Sequence, residues 1–112
     1  MDIRIIRSKI TKPELEELAK EFYTEMVKGV VDLERGIIAL GGEWHIDANQ
    51  VLIEDGSRQS DLWGFNVYVA DKKIEYVSLI NIRPAQNNRT LEVEDKSIRK
   101  KMEKIINKLI AY

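Results

Sequence analysis

Cysteine is absent, histidine occurs once and proline twice. Without thiols there is no disulfide, no thiolate nucleophile and no cysteine-ligated zinc. Nor is there an excess of one charge: 18 Lys and Arg against 19 Asp and Glu leave a net charge of -1, which gives no overall attraction to nucleic acid or anionic lipid. Apolar runs reach at most four residues, far short of a membrane span, and the opening MDIRIIRSK lacks the apolar core of a signal peptide. A cytoplasmic protein with no membrane partner is the expectation. Nucleic acid would need a local basic patch, for which Arg99, Lys100, Lys101, Lys104 and Lys108 are the material. That stripe is interrupted by Glu103, has no aromatic residues interleaved and suits the negative end of a helix, so nucleic-acid binding is not expected.

What is present is an ordinary globular composition, 44% hydrophobic and 33% charged, enough for one core and one domain over residues 1–112. Ile3, Ile5 and Ile6 among charged neighbours read as a half-buried strand. Thr11, Pro13 and Glu14 then open a helix as a capping box with proline in its first turn. Leu15, Leu18, Ala19, Phe22, Tyr23, Met26 and Val27 follow at helical spacing, which predicts one long helix ended by Gly29, with Leu18 and Phe22 central to its buried stripe.

Two hairpins are expected next. One runs through Gly36 into the run IIAL at 37–40, apolar on both faces and therefore central; the other joins 62–69 to 74–83 and stops at Pro84. In the second, Trp63, Phe65, Val67 and Val69 share one face and Gly64 and Asn66 the other. A last helix runs from about Asp95 to near Ala111 with Ile98, Met102, Ile105 and Leu109 on one stripe. The order predicts an α+β two-layer sandwich: an antiparallel or mixed sheet of about five strands, two main amphipathic helices on one face and a short helix near 48–55. Ile106 widens the last stripe beyond what one small sheet needs, so a homo-oligomer through that helix or an open sheet edge is expected.

The chemistry-bearing residues gather in 41–66, which holds His45 and both tryptophans. If 43–47 is a strand, Glu43, His45 and Asp47 share a face, an N/O ligand set for a divalent metal or a His-carboxylate pair for acid/base work. The alternative has Asp47 capping a helix from about Ala48 to Asp55, with Gln50 at N3 and Gly56 at the C′ position, His45 bonded at a strand end and Glu43 solvated. A strand over 50–55 stays open, because a run this short carries no decisive period. Ser57, Gln59 and Asn66, with Asn81, Arg83, Gln86, Asn87 and Arg89, supply amides and guanidinium forks for a small anionic ligand, or satisfy loop backbone groups.

Gly41-Gly42-Glu43-x-His45-x-Asp47, then Gly56-Ser57-x-Gln59-x-x-Leu62-Trp63-Gly64-x-Asn66, then Asn81-Ile82-Arg83-Pro84, resemble a family of small prokaryotic proteins known only as a domain of unknown function. The resemblance covers nearly the whole chain and carries no activity, cofactor or catalytic residue with it. Two classes of function follow from the residues alone: a small-ligand or divalent-metal site that brings Glu43, His45 and Asp47 together with Arg83 or Arg89, or a structural or interaction module in which those side chains are scattered.

Overall fold

The computed structural model describes residues 2–112. Its elements are β1 (Arg4–Ile6), β2 (Ile10–Thr11), α1 (Lys12–Lys20), β3 (Met26–Asp32), β4 (Ile37–Leu40), α2 (His45–Glu54), β5 (Leu62–Tyr68), β6 (Ile74–Glu75), α3 (Lys96–Leu109) and β7 (Ile110–Ala111). The main sheet is antiparallel throughout, in the order β1-β4-β3-β5-β6, and β2 pairs with β7 in a separate parallel ribbon. This is the expected α+β fold with a five-stranded sheet. Its second face is not bare, because α2 lies there.

Pleat and period explain the layers. On one face Val27, Val31, Ile38, Leu40, Trp63, Phe65 and Val67 meet Leu15 and Leu18 of α1 and Met102, Ile106 and Leu109 of α3. On the other, Val30, Ile37, Ala39 and Leu62 meet Ala48 and Leu52 of α2. IIAL is buried at all four positions because β4 lies between β1 and β3 with both faces covered, as its unbroken apolar run required. Ile106, which widens the stripe of the last helix, is fully buried in the chain's own core, so the stripe is used internally.

Three elements depart from expectation. The first helix starts with the capping box as expected but ends at Lys20, not near Lys28. The chain turns at Thr24, φ 62°, with Thr24 N bonded to Ala19 O and Glu25 N to Tyr23 O, and residues 26–32 form a central strand. Met26-Val27-Lys28-Gly29-Val30-Val31 fits a period of two as well as one of 3.6, and its β-branched residues pack best on a pleated surface. Phe22 consequently lies outside the core, 41% exposed, and Gly29 is mid-strand rather than a helix stop.

Residues 45–54 are helical, which settles helix against strand and removes the strand face on which Glu43, His45 and Asp47 would have lined up. Trp44, not Asp47, is the N-cap, and no side chain caps there. The other end follows the expected chemistry: Gly56 has φ 105°, its N–H bonds Ile53 O, and Ser57 N–H bonds Leu52 O, the paired bonds of a left-handed helix stop. The last departure is β6, which stops at Glu75 instead of running to Arg83. Beyond it come a bridge from Val77 to Glu92 and single 3₁₀ turns at Leu79–Asn81 and Pro84–Gln86.

Candidate functional site

β5 positions the site. Its odd residues, Trp63, Phe65 and Val67, are buried in the main core, which leaves Gly64, Asn66 and Tyr68 on the α2 face. Asn66 stands opposite Lys28 of β3 on one side and Glu75 of β6 on the other, a polar row across three strands. A Cβ at Gly64 would lie 2.5 Å from Ser78 Cβ, so the glycine lets the 77–81 segment close against the strand. The first turn of α2 is pinned above the row, where the His45 Nε2–H donates to Phe65 O at 2.8 Å.

Between α2 and the segment after β6 lies a cleft of about 380 Å³. Trp44, Ile46, Val77, Leu79, Ile80 and Leu91 supply its apolar lining, and Lys28, His45, Asn66 and Ser78 its polar atoms. Trp44 and Leu79 are 58% and 76% exposed, so its rim is an uncovered apolar surface.

The electrostatics of the floor follow from burial. His45 is held down to about 4, chiefly because burial disfavours the imidazolium and then because Lys28 is near; the Phe65 carbonyl and the Asn66 side chain pull the other way. The ring is therefore neutral at pH 7, and since Nε2 donates to a carbonyl its proton sits there and Nδ1 keeps a bare lone pair. Burial likewise lowers Lys28, opposed by the charge of Glu75, and its ammonium lies 5.2 Å from the Tyr23 ring centroid. Asn66 donates from Nδ2 to Glu75 Oε1 at 3.4 Å, and that oxygen also accepts the Tyr68 hydroxyl at 2.9 Å. Asn66 Oδ1 is buried and, because only a protonated ring could donate to it, has no partner while His45 is neutral with its proton on Nε2.

The three residues read as a metal set part company. Glu43 is exposed, His45 is buried with Nε2 committed to a carbonyl, and Asp47, two residues on along a helix, is half-buried on another side. Among the described residues no group of three or more His, Asp and Glu side chains is arranged to hold a metal ion.

The candidate ligand residues are also divided. Asn66 lines the cleft with His45. Ser57 accepts from Arg35 at 2.7 Å, and Gln59 exchanges two amide hydrogen bonds with Asn49 at 2.7 and 2.9 Å. Asn81 is bonded to Gly64. Arg83 donates to Leu62 O, to Gln59 O and to Gln86 Oε1 while its guanidinium stacks 3.9 Å from the Trp63 ring centroid. Gln86 in turn donates to Ser60 O. Asn87 takes the left-handed conformation that ends a 3₁₀ turn, and Arg89 is exposed. Gln86 and Asn87 line a separate pocket of about 270 Å³ over Trp63. Most of these groups thus hold loops to the sheet.

Sequence reasoning missed Lys28, Trp44, Ile46, Val77, Leu79 and Leu91. The signal for Lys28 was present but hidden: once 26–32 is a strand, Lys28 and Asn66 are cross-strand partners. A wider groove of about 840 Å³, bounded by α1, the Thr24 turn and the β5–β6 hairpin, is lined by opposed charges including Lys12, Lys73, Glu16 and Asp71. It has no buried polar atom lacking a partner.

No curated protein and no solved structure matches the chain. The family model described as Protein of unknown function (DUF5674) matches residues 4–109, and the chain belongs to that family.

Proposed function

We propose that this domain is a ligand-binding module whose site is the cleft between the first turn of α2 and residues 77–91. The observation that carries the reading is Asn66 Oδ1, a buried acceptor without a partner on a residue that lines an apolar-walled cleft. An unmet buried acceptor costs ~1–3 kcal/mol, a cost that an incoming donor would remove. The side chains that line the walls are the usual furniture of a small-molecule site: apolar area for affinity, a few polar atoms for orientation. A cytoplasmic setting fits a chain with no cysteine to oxidise.

The test is amide-resolved NMR of the protein titrated with indole and with hexanol. Shifts concentrated at residues 44–47, at Asn66 and at 78–81, lost in Leu79→Glu, are expected. Shifts scattered over the surface, or none, would remove the reading.

A second reading, an interface with another copy of the chain, is favoured by the 76% exposure of Leu79 beside Trp44 and Ile46. Sedimentation of wild type and Leu79→Glu separates the two: a rise in mass with concentration that the variant abolishes favours the interface.

A further inference from the structure

We propose that the cleft takes an N-acylated α-carboxylate bearing an apolar side chain, the group found at the carboxyl end of a peptide and in a free N-acyl amino acid. The inference rests on the cleft being the binding site, and it follows from asking what single chemical unit satisfies all of its walls and floor.

Consider charge first. Lys28 is the only residue with a formal charge among those lining the cleft at neutral pH, since His45 is neutral there. Burial works against the Lys28 ammonium and Glu75, outside the lining, works for it. The first turn of α2 lines the cleft through Trp44, His45 and Ile46 and has no side-chain cap, while Asp47 in that turn, outside the lining, offsets part of its positive end. A helix start without a side-chain cap presents partial positive charge, although the Asp47 N–H is met by Trp44 O. The cleft is therefore set for an anion.

A bare carboxylate would leave Asn66 unanswered. Asn66 is 7% exposed, and its Oδ1 has no partner, so the ligand must also bring a donor. An ammonium would be that donor at the cost of standing beside Lys28 and a helix start, which repel it. A neutral amide N–H is not repelled. In an N-acyl amino acid the amide nitrogen and the carboxylate flank one carbon, so both groups reach a floor in which Asn66 and Lys28 are cross-strand partners. The side chain on that carbon then meets Leu79, Leu91 and Ile46. A volume of about 380 Å³ holds one such residue with its acyl group.

The experiment measures binding by amide-resolved NMR for five probes: N-acetyl-leucine, its carboxamide, free leucine, the tripeptide N-acetyl-Ala-Ala-Leu with a free carboxyl end, and indole as an apolar control. The acid is expected to bind at least about tenfold more tightly than the carboxamide, as a charge-assisted hydrogen bond warrants. It should also bind more tightly than free leucine. In Lys28→Met, which keeps the apolar stem, the acid should lose its advantage over the carboxamide. If the variant does not fold, the same comparison of acid, carboxamide and leucine on the wild type still decides. A tripeptide that binds more tightly than N-acetyl-leucine identifies a peptide end as the source, and the reverse order a free acyl amino acid. Equal affinity of acid and carboxamide, or preference for free leucine, overturns the inference. If indole then still moves the cleft resonances, the cleft survives as a binding site; if indole and every other probe leave them unmoved, both fall.

Discussion

The side-chain amide of Asn81 makes the hydrogen bonds to Gly64 that a neighbouring strand would make: Gly64 N–H donates to Asn81 Oδ1 at 2.8 Å, and Asn81 Nδ2 donates to Gly64 O at 3.1 Å. The same Nδ2 reaches Leu91 O at 3.2 Å. Where β6 has ended, one residue replaces the missing ladder and ties the outer wall of the cleft to the sheet. Asn81 is fully buried, so Asn81→Ala should leave the Gly64 N–H and C=O unmet, while Leu91 O keeps its bond from Ser78 N–H, and cost ~2–4 kcal/mol. Asn81→Asp should be nearly as costly at neutral pH, because a carboxylate accepts from Gly64 N–H but cannot donate to either carbonyl. Urea midpoints of the two variants check this; an unchanged midpoint for either refutes the pseudo-strand role.

Gly29 carries the second expectation. A Cβ there would lie 2.3 and 2.6 Å from atoms of the Phe65 ring and 2.9 Å from Leu40 Cδ2. Phe65 is the cross-strand partner of Gly29, and its ring covers the gap that the glycine leaves. Gly29→Ala should therefore destabilise by ~1–3 kcal/mol through overpacking in the middle of the sheet. Adding Phe65→Leu should recover part of the loss, giving a favourable coupling in a double-mutant cycle. Additive effects would show that the two residues do not share the space.

The same region shows what the sequence could and could not reveal. The Gly36 hairpin turn, the buried IIAL strand, the last helix and the inward face of β5 were legible because each has one consistent period and a turn or cap at its ends, whereas the far arm of the second hairpin was not and stops at Glu75. Residues 22–28 were not, because Phe22, Tyr23, Met26 and Val27 continue the stripe of Leu15 and Leu18 at helical spacing, and no proline or glycine marks the turn at Thr24. Tertiary pairing decided it: a strand at 26–32 has β4 on one side and β5 on the other. The site inherited the error. Read as helix, Lys28 was one solvated charge among many; read as strand, it faces Asn66. His45 and Asn66 were legible as polar residues of the right stretch, whereas Leu79 and Leu91 belong to loop segments whose apolar residues have no period to read.

Because α1 ends at Lys20, truncations along its apolar stripe should differ in cost. Leu15 is fully buried and Leu18 is in the same cluster, so either change to alanine should cost ~2–5 kcal/mol. Phe22, outside the core, should cost under about 1 kcal/mol. Chemical denaturation of the three variants in parallel tests where α1 ends. A loss at Phe22 equal to that at Leu15 would place Phe22 inside the packed interface.

Acid should act on this protein through His45 before it acts through the carboxyl groups. The imidazole titrates near 6.5 in the unfolded chain and is held down to about 4 in the fold, so between those values the unfolded state binds the additional proton. Stability is then full above about pH 6.5, falls as the pH drops through that window, and levels off below about 4. A separation of this size corresponds to about 3 kcal/mol at its limit, a large part of what a small domain has. Hydrogen bonds hold other carboxyl groups low, from Thr11 at Glu14 and from Arg35 at Asp55, and their contribution begins to be lost as the pH falls through the unfolded values of 4.5 and 3.8, at the foot of the His45 window. The variant that isolates the effect is His45→Gln, whose side-chain amide offers a donor to Phe65 O without a titrating ring. Wild-type urea midpoints should decline steadily from pH 6.5 to 4.5, and the variant's should stay nearly level over the same range. If the variant declines as steeply as the wild type, the proton is taken up elsewhere and His45 is not the buried neutral base under the cleft.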